Sequence, residues 1–96
     1  MPLGEFTVPM TGVWKVSFSL VTEVNTREQN YVYIYHNQQE IRETWYYTYS
    51  EYKRVWSTGE RKLITRAEQG DTFHLGTYRI GGLVDNIIAC FEFVSL

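Results

Sequence analysis

Ninety-six residues, 44% of them hydrophobic, with nine basic against eleven acidic side chains, describe one folded domain of nearly balanced charge. That size supports one modest core burying roughly 60–65% of the unfolded surface, and the composition excludes a disordered chain. The scattered Lys and Arg, densest at Arg61-Lys62, exclude the phosphate-neutralising stripe of a nucleic-acid binder, and no apolar run nears the ~18 residues of a membrane span.

Met1-Pro2-Leu3-Gly4 reads as a cloning remnant, leaving 5–96 as the domain. Phe6–Val8 is a short strand, and Pro9 and Gly12 mark a turn. Val13–Val21 then alternates cleanly, with Trp14, Val16, Phe18 and Leu20 on one face and Lys15, Ser17 and Ser19 on the other. Period-two alternation of that length is a half-buried antiparallel strand. Thr22–Asn30 is polar and reads as a loop or a frayed strand end. Tyr31–His36 alternates again, with Val32 and Ile34 opposite Tyr31, Tyr33 and Tyr35, and Asn37-Gln38 is a tight turn. In Glu40–Tyr49, strict alternation groups Ile41, Glu43, Trp45, Tyr47 and Tyr49 against Arg42, Thr44, Tyr46 and Thr48.

Ser50–Arg54 reads as a loop or a short helical turn, and Val55-Trp56 begins a strand that breaks at Thr58-Gly59. Arg61–Ala67 is a strand with Leu63, Thr65 and Ala67 in phase, Gln69-Gly70-Asp71 a turn, and Thr72–Leu75 a strand with Phe73 and Leu75 in phase. Gly76–Asn86, with Gly76, Gly81 and Gly82, reads as a long loop, and Ile87–Leu96 as the closing strand. No segment carries a helical stripe. Many short strands at roughly ten-residue spacing indicate an all-β antiparallel sandwich or barrel. The expected core is Trp14, Val16, Phe18, Leu20, Ile34, Leu63, Phe73, Leu75 and Phe91.

Cys90 is the only cysteine, so no disulfide forms within the chain, and a secreted protein could use it between chains or bury it. Within Ile87-Ile88-Ala89-Cys90-Phe91 it reads as an inert buried thiol. His36 and His74 are the only histidines, and no His/Cys ligand spacing for zinc exists. A triad of Ser17, His74 and Asp71 has no support from spacing. Gly81-Gly82 lacks the strand–helix setting of a phosphate loop. Asp71 suits a turn residue that accepts backbone N–H groups. These readings point away from an enzyme and require no cofactor.

Aromatic residues make up 17% of the chain, with eight Tyr, three Trp and five Phe. One small core cannot hold them all, and surface rings in number mark an interface. The richest strip, Thr44–Trp56, supplies the candidate interface or ligand residues Trp45, Tyr46, Tyr47, Tyr49, Tyr52, Lys53, Arg54 and Trp56. Alternation turns about half of its rings inward. The two expected long loops offer Glu23, Arg27, Glu28 and Arg79 to a charged partner, although solvated loop charge is the simpler reading.

Four segments resemble the globular-head domain of complement C1q, a jelly roll shared with tumour necrosis factor ligands. They are Phe6-Thr7-Val8-Pro9 with Gly12 and Ser17-Phe18, then Val32–Asn37, then Leu63–Ala67 with Gly70-Asp71-Thr72-Phe73-His74-Leu75, and finally Phe91–Leu96. Together they reach across nearly the whole chain, leaving its middle unmatched. Gln38 replaces the family's hairpin glycine and Phe93 the glycine of its terminal motif. Family domains also carry a strand and loop upstream of the F-T-x-P element, so an open sheet edge is expected beside Trp14–Leu20.

The resemblance implies an antiparallel jelly-roll β-sandwich that assembles as a homotrimer, secreted and extracellular, capturing protein or other ligands multivalently. It allows a calcium ion on loop oxygens, for which Glu68, Asp85 and Asn86 are the available groups, although the metal's position is unknown. Two alternatives stand beside this one. One is a receptor ligand of the tumour necrosis factor type. The other is a carbohydrate-binding β-sandwich with exposed, coplanar Trp45 or Trp56.

Overall fold

A computed structural model describes residues 5–96; the segment read as a cloning remnant, 1–4, lies outside them. The described residues form seven strands and no helix: β1 (Phe6–Thr7), β2 (Gly12–Val24), β3 (Gln29–His36), β4 (Gln39–Tyr49), β5 (Val55–Ala67), β6 (Thr72–Ile80) and β7 (Leu83–Ser95). They make two antiparallel sheets, ordered β1-β6-β3-β4 and β5-β2-β7. The sheets face each other as a β-sandwich, an elongated body measuring 48 × 20 × 19 Å.

The alternation of β2 builds half the core. Trp14, Val16, Phe18 and Leu20 point inward from the middle of their sheet and meet Val32 and Ile34 of β3 and Phe73 and Leu75 of β6, all buried. Val8 and Ala67 close one end. Leu63 and Phe91 are partly buried and pack against this cluster. Between the sheets, buried Thr22 and Thr48 share a 2.9 Å hydrogen bond, which lets two polar side chains occupy the interior.

Several boundaries differ from those the sequence suggests. Thr22–Asn30 is mostly strand, because β2 runs to Val24 and β3 begins at Gln29. The polar residues there keep the alternation, Thr22 inward and Glu23 outward, which composition conceals. β5 passes unbroken through Thr58-Gly59, where Gly59 makes room for the ring of Tyr46. The expected long loop 76–86 shrinks to Gly81-Gly82, both at positive φ, where the chain crosses from one sheet to the other. Asn86, at φ 51, sits in a bulge of β7 opposite β2, where the paired register skips between Ser19 and Val21.

The open edge also lies elsewhere. β2 has partners on both sides, β5 and β7, so Trp14–Leu20 is central and the edge strands of its sheet are β5 and β7.

The β3–β4 hairpin turns on Asn37 and Gln38, both left-handed at φ 52 and 68. Two positive φ values in a two-residue loop suit the twist of a hairpin, and glycine fits the second position best. Gln38→Gly is therefore expected to stabilise the domain by about 0.5–1 kcal/mol, the side-chain strain relieved less the extra freedom of the unfolded chain. A thermal melt should rise by roughly 2–6 °C; a fall would show that Gln38 contributes more than its backbone strain costs.

Candidate functional site

The outer face of the β6-β3-β4 sheet is where the aromatic residues gather. Register sets the rows: Tyr78 beside Tyr31 beside Tyr47, then Tyr33 with Gly76, then His74 beside Tyr35 beside Glu40. Trp45 joins them from β4, its ring 5.3 Å from Tyr31 and 5.9 Å from Tyr33. Tyr31 lies 4.6 Å from Tyr47 and 6.0 Å from Tyr78, and Tyr35 stacks on His74 at 4.5 Å. Gly76 leaves the gap that the rings of Tyr33 and Tyr35 fill. Because the opposite face of these strands already supplies the core, this layer of rings is surplus to folding.

A break in β4 positions Trp45. Val32 pairs with Tyr46, yet Ile34 pairs with Ile41, so the longer β4 segment bulges outward opposite Tyr33. The buried hydroxyl of Thr44 bridges the gap, accepting from the Ile34 N–H at 2.8 Å and donating to the Ile41 carbonyl at 2.6 Å. The odd number of residues inserted reverses the facing of everything before it. Ile41 therefore lies on the core side of the sheet, while Trp45, Tyr47 and Tyr49 face out, correcting the single phase that alternation assigns to all four.

The expected strip of Thr44–Trp56 is divided between sheets. Trp45, Tyr47 and Tyr49 belong to the aromatic face. Tyr46 points inward and packs on the core, its hydroxyl bonded to Ser57 Oγ at 2.6 Å and donating to the Thr58 carbonyl at 3.2 Å. Tyr52 and Lys53 lie in the β4–β5 loop, with Tyr52 88% exposed. Arg54 forms an ion pair with Glu23 and lies 5.2 Å over the ring of Trp56, which stands 63% exposed on the outside of the other sheet. Tyr31, Tyr33, Tyr35, His74 and Tyr78 complete the aromatic face and were missed as site residues. Their outward phase in β3 was legible, but the neighbour relations that make one surface of them were not.

The face shifts the acidity of its own hydroxyls. Burial, together with the Tyr35 hydroxyl and the Glu40 carboxylate, pushes the Tyr33 phenol up to about 12. Desolvation, then Tyr31, raises Tyr47, and the hydrogen bond to Glu51 raises Tyr49. These phenols remain neutral donors at physiological pH.

Asp71 serves the turn. Its carboxylate accepts from the Glu68 N–H at 2.9 Å and from His36 Nε2–H at 3.0 Å. Asn37 ties in through Thr72, whose N–H donates to Asn37 Oδ1 at 2.9 Å. The Glu68 backbone bond first, then the Asn37 and His36 side chains, hold the Asp71 carboxyl below its ordinary range.

The other sequence candidates do not converge. Ser17 faces out from β2 opposite Lys62 and Cys90, on a different sheet from His74. Glu68 follows Ala67, the partner of Gly12, whereas Asp85 pairs with Val21, nine residues along β2 or about 30 Å at strand spacing. Among the described residues, no group of three or more His, Cys, Asp or Glu side chains is arranged to hold a metal ion.

Cys90 is exposed, which corrects the buried thiol expected from its apolar neighbours. Strand phase decides it: Ile87, Ala89 and Phe91 lean on the core, and Ile88, Cys90 and Glu92 face outward. The charged candidates of the supposed long loops also sit in other settings, with Glu23 in β2 and Arg79 in β6. Among the described residues, no helix is long and apolar enough to cross a membrane.

Compared with known proteins, the chain matches no family model, no curated protein and no solved structure.

Proposed function

We propose that this domain is a non-catalytic recognition module of C1q-like type, an extracellular jelly-roll head that associates as a trimer and reads protein or other ligands on its aromatic face. The observation that carries the reading is the ring-covered outer surface of β6-β3-β4, held on a stiff sheet and not used by the core. Tyr and Trp supply large contact area with few rotatable bonds, which is what a recognition surface needs. The winding supports the jelly roll: every connection except the β3–β4 hairpin passes from one sheet to the other. The four sequence segments that resemble C1q fall on β1–β2, β3, β5–β6 and β7.

Self-association is assigned to the opposite face. There Ile64, paired with Lys15, and Ile88, paired with Ser19, are 60% and 63% exposed on either side of the central strand. A flat surface with protruding aliphatic residues suits contact between copies. Each head would then carry its aromatic face outward, and three weak sites would act together.

Light scattering at micromolar concentration should return about three times the 11.4 kDa chain mass. The double variant Ile64→Lys/Ile88→Lys should give a folded monomer with an unchanged far-ultraviolet spectrum. A clean monomer from the parent chain would remove the trimer and the avidity with it.

One observation favours a glycan ligand. Tyr47 and Tyr49 are both exposed, and their rings are parallel within 4° at 6.4 Å, a platform on which sugar rings can stack. A monomer that binds on a glycan array would select a carbohydrate-binding sandwich over the trimeric head.

A further inference from the structure

Within the aromatic face lies a cup of about 300 Å³ lined by Tyr31, Tyr33, Glu40, Trp45 and Tyr78. Its rings are not parallel. Trp45 meets Tyr31 edge-on at 70°, tilts 34° from Tyr33, and Tyr78 tilts 54° from Tyr31. Rings inclined this way wall a concavity instead of presenting a flat platform. Glu40 contributes the one carboxylate of the lining. Its Oε1 is buried with no hydrogen-bond partner, as is Trp45 Nε1. A buried acceptor without a donor is costly, and so marks a place where a ligand can supply one.

Three ligand classes can be compared on these walls. An anion would face both the Glu40 charge and the negative ring faces. A neutral apolar group would fill the rings but leave Glu40 unpaired. A cation satisfies both, because ring faces attract positive charge and do so more strongly where water is excluded. A bare ammonium is strongly hydrated and resists leaving water. Methyl groups weaken that hydration and add apolar surface for the rings, while a remaining N–H can donate to Glu40 Oε1. Arg42 lies 5.0 Å over the ring of Trp45 but does not line the cup, so that ring already accommodates a cation outside it.

We infer that this cup binds a methylated ammonium group that keeps at least one N–H, the rings enclosing its methyl groups and Glu40 accepting a hydrogen bond from that N–H. The inference deepens the reading of the aromatic face as the ligand surface and rests on it. Two sources present this chemistry, a free alkylamine and a methylated lysine side chain.

The test is a nuclear magnetic resonance titration of the full chain, following the indole N–H signals of Trp14, Trp45 and Trp56. The probes are dimethylammonium chloride and α-blocked Nε-dimethyl-lysine, trimethyl-lysine and acetyl-lysine. Dimethyl-lysine should shift the Trp45 signal saturably, leave Trp14 unmoved, and bind more tightly than trimethyl-lysine. Acetyl-lysine, which has no charge, should bind about tenfold more weakly, within the range of a partly desolvated cation–π contact. Glu40→Gln should weaken dimethyl-lysine by a similar factor while leaving the melting temperature nearly unchanged.

Equal affinity for acetyl-lysine, an unaffected Glu40→Gln variant, or no saturable shift at Trp45 would each overturn the proposal. If dimethylammonium alone reproduces the affinity, the source is a free amine; if only the lysine probe binds, it is a side chain. The mass measurement separates the two levels of inference. A trimer whose Trp45 ignores every amine sinks only the cup, whereas a monomer sinks the trimeric head.

Discussion

Phe73→Ala is expected to cost about 3–5 kcal/mol, the range for deleting a large buried aromatic side chain. Phe73 is fully buried and sits where the sandwich closes. Its β6 position pairs with Phe6 of β1 on one side and with His36 of β3 on the other, and its ring stacks on the imidazole of His36 at 4.5 Å. Truncation would remove core contacts and loosen the end that Asp71 ties together. A domain of this size has roughly 5–15 kcal/mol of stability to lose. The melting temperature should therefore fall by about 15–30 °C. Phe73→Leu keeps most of the volume and should cost roughly a third as much. Denaturant titration of both variants with unchanged slope would locate the effect in the folded state. A Phe73→Ala loss below about 1 kcal/mol would mean that this part of the interior is not close-packed.

Thr44→Val is the second large effect, and it acts through hydrogen bonds instead of volume. Valine matches threonine in shape but cannot accept from the Ile34 N–H or donate to the Ile41 carbonyl. Both groups lie at the β4 bulge, where the ladder offers no replacement. Leaving one buried polar group unsatisfied costs about 1–3 kcal/mol, so the pair should cost about 2–4 kcal/mol in total. Thr44→Ser retains the hydroxyl and should remain within about 1 kcal/mol of the parent. Thermal melts of the two variants check this, and equal losses would assign the role of Thr44 to its methyl group. Because the bulge also sets the direction of Trp45, Thr44→Val should move the Trp45 indole signal even at temperatures where the domain stays folded.

The Thr44 bulge also explains the limits of reading this chain by pattern. Alternation identifies β2 and β3 because one face of each is apolar and the other is not, and a slip of one residue would bury Lys15 or expose Val32. The same rule fails across β4. The residues of the bulge are individually ordinary strand formers, and the hydroxyl that stabilises it is satisfied by Ile34, ten positions earlier in the chain. Thr22 and Glu23 look like loop residues until Thr48 supplies a buried partner for one and Arg54 an ion pair for the other. Cys90 looks buried among its neighbours until β7 is placed against β2 and its phase is set.

By itself, the sequence determined an all-β domain, its principal core residues, the turns at Asn37-Gln38 and Gln69-Gly70-Asp71, and an excess of rings over what one interior can hold. Those properties depend on composition and on side-chain periodicity between adjacent residues. Only the tertiary structure decided which strands share a sheet, that β2 is central between the edge strands β5 and β7, and that Tyr31, Tyr33, Trp45 and Tyr78 meet around Glu40. The physical reason is that such neighbours are joined by backbone pairing between distant segments, with a register set by turns, bulges and the fit of the whole core. No local stretch of chain encodes that pairing.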